Sequence, residues 1–201
     1  MADQQLTNKA VSYLTQERVN HPEDASFLYQ LQVQLLKDSG QVDQARLILD
    51  EALQNIPDNP EMIYARVLFL KPSEQALLDQ ELERLLTIEP NSPTYLNAYA
   101  YTLATQNRRL HDARQLAERA NTLAPDQAAI MDTLGLVAFL QKDYDTAARV
   151  LQKAFALSDS LNIGIRLAKT YLAQGNTTAF EALKNQLNAK HPEEMQVVTL
   201  Q

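Results

Sequence analysis

Apolar and small residues along this chain fall at three- and four-residue steps, the spacing of helices that bury one face. The small residues keep a longer clock. Ala45/Ala52, Ala113/Ala120 and Ala147/Ala154 are three copies of Ala-x6-Ala, separated by 68 and then 34 positions. Between the alanines of each pair lies a third residue of the same face, Leu49, Ala117 or Leu151, and Pro57 and Pro125 close the unit at a matching distance. A fixed period of this length is the mark of a solenoid, in which each unit packs on its neighbours. Alignment on the alanines predicts an all-α chain of five helix-turn-helix units at about 26–57, 60–90, 93–125, 128–159 and 161–192. A lone helix over 1–23, equivalent to the second helix of an incomplete repeat, precedes them, and a tail over 193–201 follows.

The ends of these helices carry recognisable signals. Asp24, Ser26, Ser73, Ser92 before Pro93, and Asp126 after Pro125 read as N-terminal caps or first-turn residues. Gly40 and Gly175 fall at the turn between first and second helices, where a left-handed residue is wanted. In the first helix of each unit, Tyr29, Ile63, Leu96 and Met131 take an inward place, followed by Tyr99/Ala100, Leu134/Gly135 and Leu167/Ala168. Small residues there and on the second helix allow the paired helices to approach closely. The second unit departs from the pattern: it offers Leu78, Leu82 and Leu85 in place of alanines, and Pro72 ends its first helix early. The third unit restores the clock with one extra residue in TQNRRLHD, and the fifth has Phe180 where a small residue is expected.

The run LNAYAYTLATQNRRLHDARQLAERANTLAPDQAAIMDTLGLVAFLQKDYDTAARVLQKAF resembles tetratricopeptide repeats, above all in Leu134-Gly135, Tyr144, Ala147 and Ala154. The likeness extends over 24–192. More loosely, APDQAAIMDTLG is similar to the C-terminal repeats of bacterial envelope proteins of this family, including lipoproteins that act as adaptors. The resemblance implies a right-handed α-solenoid whose first helices form a concave wall that receives a segment of a partner protein. The parallel between NHPED at 20–24 and KHPEE at 190–194 suggests that the chain is a segment of a longer array, with Val197, Val198 and Leu200 beginning another helix or docking on the last unit.

Composition narrows the functions. With 45% hydrophobic residues and 4 glycines the chain suits a folded helical protein. Its net charge of −7 gives no overall attraction to phosphate backbones or anionic lipid, so nucleic acid is not an expected partner. No apolar run of membrane-spanning length is present, and direct membrane insertion is not expected. There are no cysteines, which removes thiolate chemistry and disulfides and leaves the choice between cytoplasm and periplasm open.

Candidate chemistry is sparse. His21, His111 and His191 stand far apart and read as solvated loop residues rather than zinc ligands. Asp143/Asp145 and Glu81/Glu83 sit two apart, which does not place them on one helical face, and they read as turn and surface residues. No glycine-rich phosphate loop or nucleophile elbow is present, so neither catalysis nor a cofactor is expected.

Interaction chemistry is better represented. Counting along the first helices gives a groove stripe of Phe27, Gln30, Gln34 and Lys37; Tyr64, Leu68 and Lys71; Asn97 and Tyr101; Asp132, Leu136 and Phe139; and Ile165, Lys169 and Leu172. Tyr64 and Tyr101 offer large contact area with a polar tip, and Asn97 offers both donor and acceptor to a peptide backbone. Asp132 argues against capture of a terminal carboxylate. The expected function is a non-enzymatic scaffold that binds a protein or peptide through these residues, the alternatives being a structural or self-assembling module, through its chain ends, or a regulatory segment of a longer protein.

Overall fold

The computed structural model describes residues 2–193, with side chains for all of these but 2–4 and 72. Eleven α-helices are present among them: α1 (Ala2–Asn20), α2 (Ala25–Asp38), α3 (Val42–Asn55), α4 (Pro60–Phe69), α5 (Gln75–Ile88), α6 (Pro93–Thr105), α7 (Leu110–Leu123), α8 (Ala128–Leu140), α9 (Tyr144–Ser158), α10 (Leu161–Ala173) and α11 (Thr177–Lys190). Short 3₁₀ turns at Pro22–Asp24 and Pro72–Glu74 lead into α2 and α5. The chain divides into two compact units, Met1–Pro90 and Asn91–Gln201. In the first, each helix from α1 to α5 packs on the next; in the second, α6 to α11 do the same, and α8 also packs on α6 and α10.

The alanine clock marks the centre of each helical pair. Ala45, Leu49 and Ala52 on α3 are fully buried, as are Ala113, Ala117 and Ala120 on α7 and Ala147, Leu151 and Ala154 on α9. On α5 that place is filled by Leu82 and Leu85, also fully buried. The facing positions Tyr29, Ile63, Leu96 and Met131 are buried too. Gly135 shows how close the approach is, because a Cβ built there lies 2.5 Å from Cγ of Leu151.

Turn geometry explains the irregular units. Three turns have three residues, Ser39–Gln41, Gln141–Asp143 and Gln174–Asn176, and the middle residue of each is left-handed: Gly40 and Gly175 at φ +74 and Lys142 at φ +63. The amide after it reaches back to close the helix, as Gln41 N–H donates to the Leu36 carbonyl and Asn176 N–H to that of Tyr171. The turn Gln106–Arg109 is one residue longer and places both Asn107 and Arg109 at positive φ. Pro72 stands in the 3₁₀ turn after a shortened α4, where the Lys71 N–H donates to Glu74 Oε2 at 2.9 Å.

One sequence expectation about helix starts is corrected. Asp126 caps no helix: it is left-handed at φ +62, and Gln127 precedes α8 instead. Ser92 and Asp24 occupy the expected N-cap places, though without a side-chain bond, and Ser26 lies in the first turn of α2 as expected. The side chains that do cap are Asn59, Asp143 and Asn176, accepting from the amides of Met62, Thr146 and Ala179. The residues 194–201, with Val197, Val198 and Leu200, lie outside those described.

Candidate functional site: the exposed faces of the first helices

In the first unit the expected residues lie on α2 and α4. Phe27 is 64% exposed, Gln30 and Gln34 are exposed, and Gln34 Nε2 donates to Asp38 at 2.7 Å. Leu31, at four-residue spacing from Phe27, is exposed beside them. On α4, Leu68 is 63% exposed, whereas Tyr64 is half-buried and burial pushes its phenol above the usual value. The N-terminal ends of α2 and α4 are tied by Asn59 Nδ2 donating to Ser26 Oγ at 3.1 Å.

In the second unit the residues lie on α6, α8 and α10. Tyr101 is 46% exposed on α6, and Asn97, one turn earlier, is half-buried with an Oδ1 that accepts no hydrogen bond. Leu136 and Phe139 on α8 are half-buried, and the Phe139 ring packs on Tyr144 with centroids 5.6 Å apart. Lys169 and Leu172 are exposed on α10. Asp132 is not the free negative charge that its place in the sequence suggested: its Oδ1 lies 2.9 Å from Nε of Arg166, on α10. Burial raises the Asp132 carboxyl above the ordinary value, opposed by the Arg166 guanidinium. This pair ties α8 to α10 and leaves Lys169 as the unpaired charge on α10, one turn before Leu172.

The polar interior of the first unit was not legible from its motifs. Glu81, read as a surface residue, is 2% exposed and bonds Arg66. Arg66 also stands 3.6 Å from Asp50, and Arg84 Nη1 lies 3.7 Å from the other Glu81 oxygen. A second network joins Arg18, which lies over the Tyr29 ring at 3.7 Å, to Glu51 at 2.9 Å; the Tyr29 hydroxyl donates to the same carboxylate and accepts from Asn55. Gln32, fully buried on α2, donates to the Val11 carbonyl and to Thr15. The histidines are exposed or half-buried, but His111 lies in the first turn of α7 rather than in a loop. His21, Glu23 and Asp24 bring ligand atoms within 4.8 Å on the surface, where His21 already pairs with Glu17 and Glu23.

The arrangement is that of paired helices in register, and comparison with known proteins agrees. A tetratricopeptide repeat family model matches residues 138–201. The chain is 30% identical over 148 residues to TPR repeat-containing protein PA4667 of Pseudomonas aeruginosa, covering 73% of this chain and 25% of that one. It is 28% identical over 121 residues to the type IV pilus assembly protein PilF of the same organism, 59% of this chain and 48% of PilF. The solved PilF structure superposes with a TM-score of 0.72 at 22% identity, covering 84% and 77% of the two chains. YrrB, described as a TPR protein with an unusual peptide-binding site, superposes with a TM-score of 0.67 at 15% identity over 90% and 94%. The chain is a tetratricopeptide repeat protein. It spans about a quarter of the length of PA4667 and about half that of PilF.

Proposed function

We propose that the protein is a non-catalytic scaffold that binds a segment of a partner protein on the exposed faces of its first helices. The observation that carries this reading is the side-chain mixture on α6, α8 and α10. Tyr101 on α6 is 46% and Leu172 on α10 43% exposed, Leu136 and Phe139 on α8 are half-buried, and the Asp132–Arg166 pair neutralises the charge between α8 and α10. Large apolar groups with few polar ones among them are the composition of binding hot spots. Exposed Phe27, Leu31 and Leu68, with Gln30, Gln34 and Tyr64, give α2 and α4 a comparable face of their own. The fold is in general a protein-interaction module, and one structural neighbour is described as binding peptide.

The test is site-specific photo-crosslinking in the source cells, with the crosslinker at position 101, 136 or 172 and, as control, at the exposed Arg149 of α9. A protein adduct formed from the first three positions and not from the fourth is expected. It should disappear when Tyr101 and Leu172 are both alanine while far-ultraviolet circular dichroism is unchanged. Equal crosslinking from position 149 refutes the assignment.

A further inference from the structure

We propose that the second unit carries a separate binding site, a cleft between α9 and α11 that takes an extended, uncharged peptide segment with apolar side chains at alternate positions. The cleft is open to solvent and holds about 740 Å³, with Leu167 and Tyr171 of α10 at its floor, within the roughly 300–1,000 Å³ of ligand clefts. Phe155, Leu167, Tyr171 and Leu183 line it, each less than a tenth exposed, so their apolar edges reach the cleft from the core.

Two alanines open it. Ala179 and Ala182 are the third and sixth residues after the α11 N-cap, and both line the cleft. The same places hold Gln44 and Leu47 on α3, Leu77 and Gln80 on α5, Asp112 and Gln115 on α7, and Thr146 and Arg149 on α9. The second helices of the other four pairs therefore carry larger side chains there. The cleft between α1, α2 and α3 in the first unit shows the contrast: it encloses about 410 Å³ and is lined by the Arg18–Glu51 pair.

Charge selects the occupant. Among the described residues, the only charged ones lining the α9–α11 cleft are Asp159 and Lys190, which bond each other at 2.6 Å across one end. A charged group entering the cleft would lose water and meet no free counter-charge, so the balance of the site matches a neutral occupant. Gln152 on α9 and Gln186 on α11 contribute amides from opposite walls. An amide offers both donor and acceptor, the pair a peptide main chain requires. From Ala179 to Lys190 the helix rises about 16 Å, the length of about five extended residues. With side chains alternating between faces, about three of the five point at the floor.

The test is selection of a random heptapeptide phage library on the intact protein, with depletion on the Ala179→Leu/Ala182→Leu variant. Leucine occupies these two places in α5 and α3, so the helix accepts it. Enriched sequences are expected to alternate apolar residues and to lack charge at their centre. The synthesised consensus, titrated by calorimetry, should bind the variant at least about tenfold more weakly, and its affinity should be insensitive to salt. Gln186→Ala should weaken it as well, while Tyr101→Ala/Leu172→Ala should leave it unchanged, which separates this site from the first-helix faces. The proposal is overturned if nothing is enriched over the filled variant, if the consensus is charged, if affinity follows Tyr101 and Leu172, or if decanoate binds the cleft and peptides do not.

Discussion

Replacing Gly135 with alanine sets two effects of known sign against each other. In an unconstrained helix, alanine in place of glycine stabilises by about 1 kcal/mol. Here the new methyl group would stand 2.5 Å from Cγ and 2.6 Å from Cδ2 of Leu151, about 1 Å inside ordinary contact between carbons. Leu151 is fully buried between Ala147 and Ala154 and has no solvent to swing into. Overpacking of such a site costs about 1–3 kcal/mol. The net expectation is a loss of about 1 kcal/mol, the overpacking cost exceeding the gain in propensity. Leu151→Ala alone should cost about 2–5 kcal/mol through its cavity. In the double variant the methyl group has room and its helix preference returns, so a coupling of about 2 kcal/mol is expected between the two sites. Hydrogen exchange of the α8 and α9 amides, measured on the wild type, both single variants and the double, reads this cycle within the second unit. If Gly135→Ala slows exchange as its propensity alone dictates, and the two changes add without coupling, the close approach of α8 and α9 is refuted.

Other expectations concern charge and caps. Glu81→Ala, which strands the Arg66 guanidinium, should cost about 2–4 kcal/mol in urea unfolding, near the lower end for a broken buried pair because Asp50 remains beside Arg66. Arg66→Leu together with Glu81→Leu should recover most of that loss, since Leu134 and Leu167 hold the place of Arg66 in α8 and α10. The raised Asp132 carboxyl means that the folded state holds this proton more tightly than the unfolded chain. Relative to Asp132→Asn, wild-type stability should therefore fall as pH rises from the ordinary value of 3.8 towards the folded one, as read from urea midpoints across that range. Asn59→Ala removes the bond from the Met62 amide and the tie to Ser26, and should lower stability by about 1 kcal/mol and loosen α4 first.

What could be read from the sequence was set by how local its cause is. The alanine clock was legible because a small residue is demanded wherever two backbones approach, and Gly40 and Gly175 because left-handed turns favour glycine. The extra residue of TQNRRLHD was legible by counting, but the two left-handed residues that absorb it, Asn107 and Arg109, were not, since neither type is confined to that conformation. Asp126 misled for the same reason: a short acid after proline serves a turn as readily as a cap. Glu81 read as surface because charge normally faces water, and its burial depends on a partner, Arg66, on the adjoining helix. A signal was present, because Arg66 follows Ile63 by the three residues that separate Leu96 from Tyr99 and Met131 from Leu134. A charge in a core column asks for another nearby, and Glu81 stands among Leu78, Leu82 and Leu85. The exposed face of α6 was legible from spacing alone, whereas the Asp132–Arg166 bridge was not, because it joins successive helix pairs within the second unit.

The bond between Arg66 and Glu81 also leaves a trace in descent. Neither residue can be replaced singly without stranding a charge inside the first unit, so a lineage that exchanges one for an apolar residue gains by exchanging the other. Positions 66 and 81 should then change together among relatives, as two apolar residues or as an ion pair of either polarity, while exposed positions outside the proposed face, such as 54 and 61, drift independently. In an alignment that correlation would single out the first unit's interior by variation rather than by constancy.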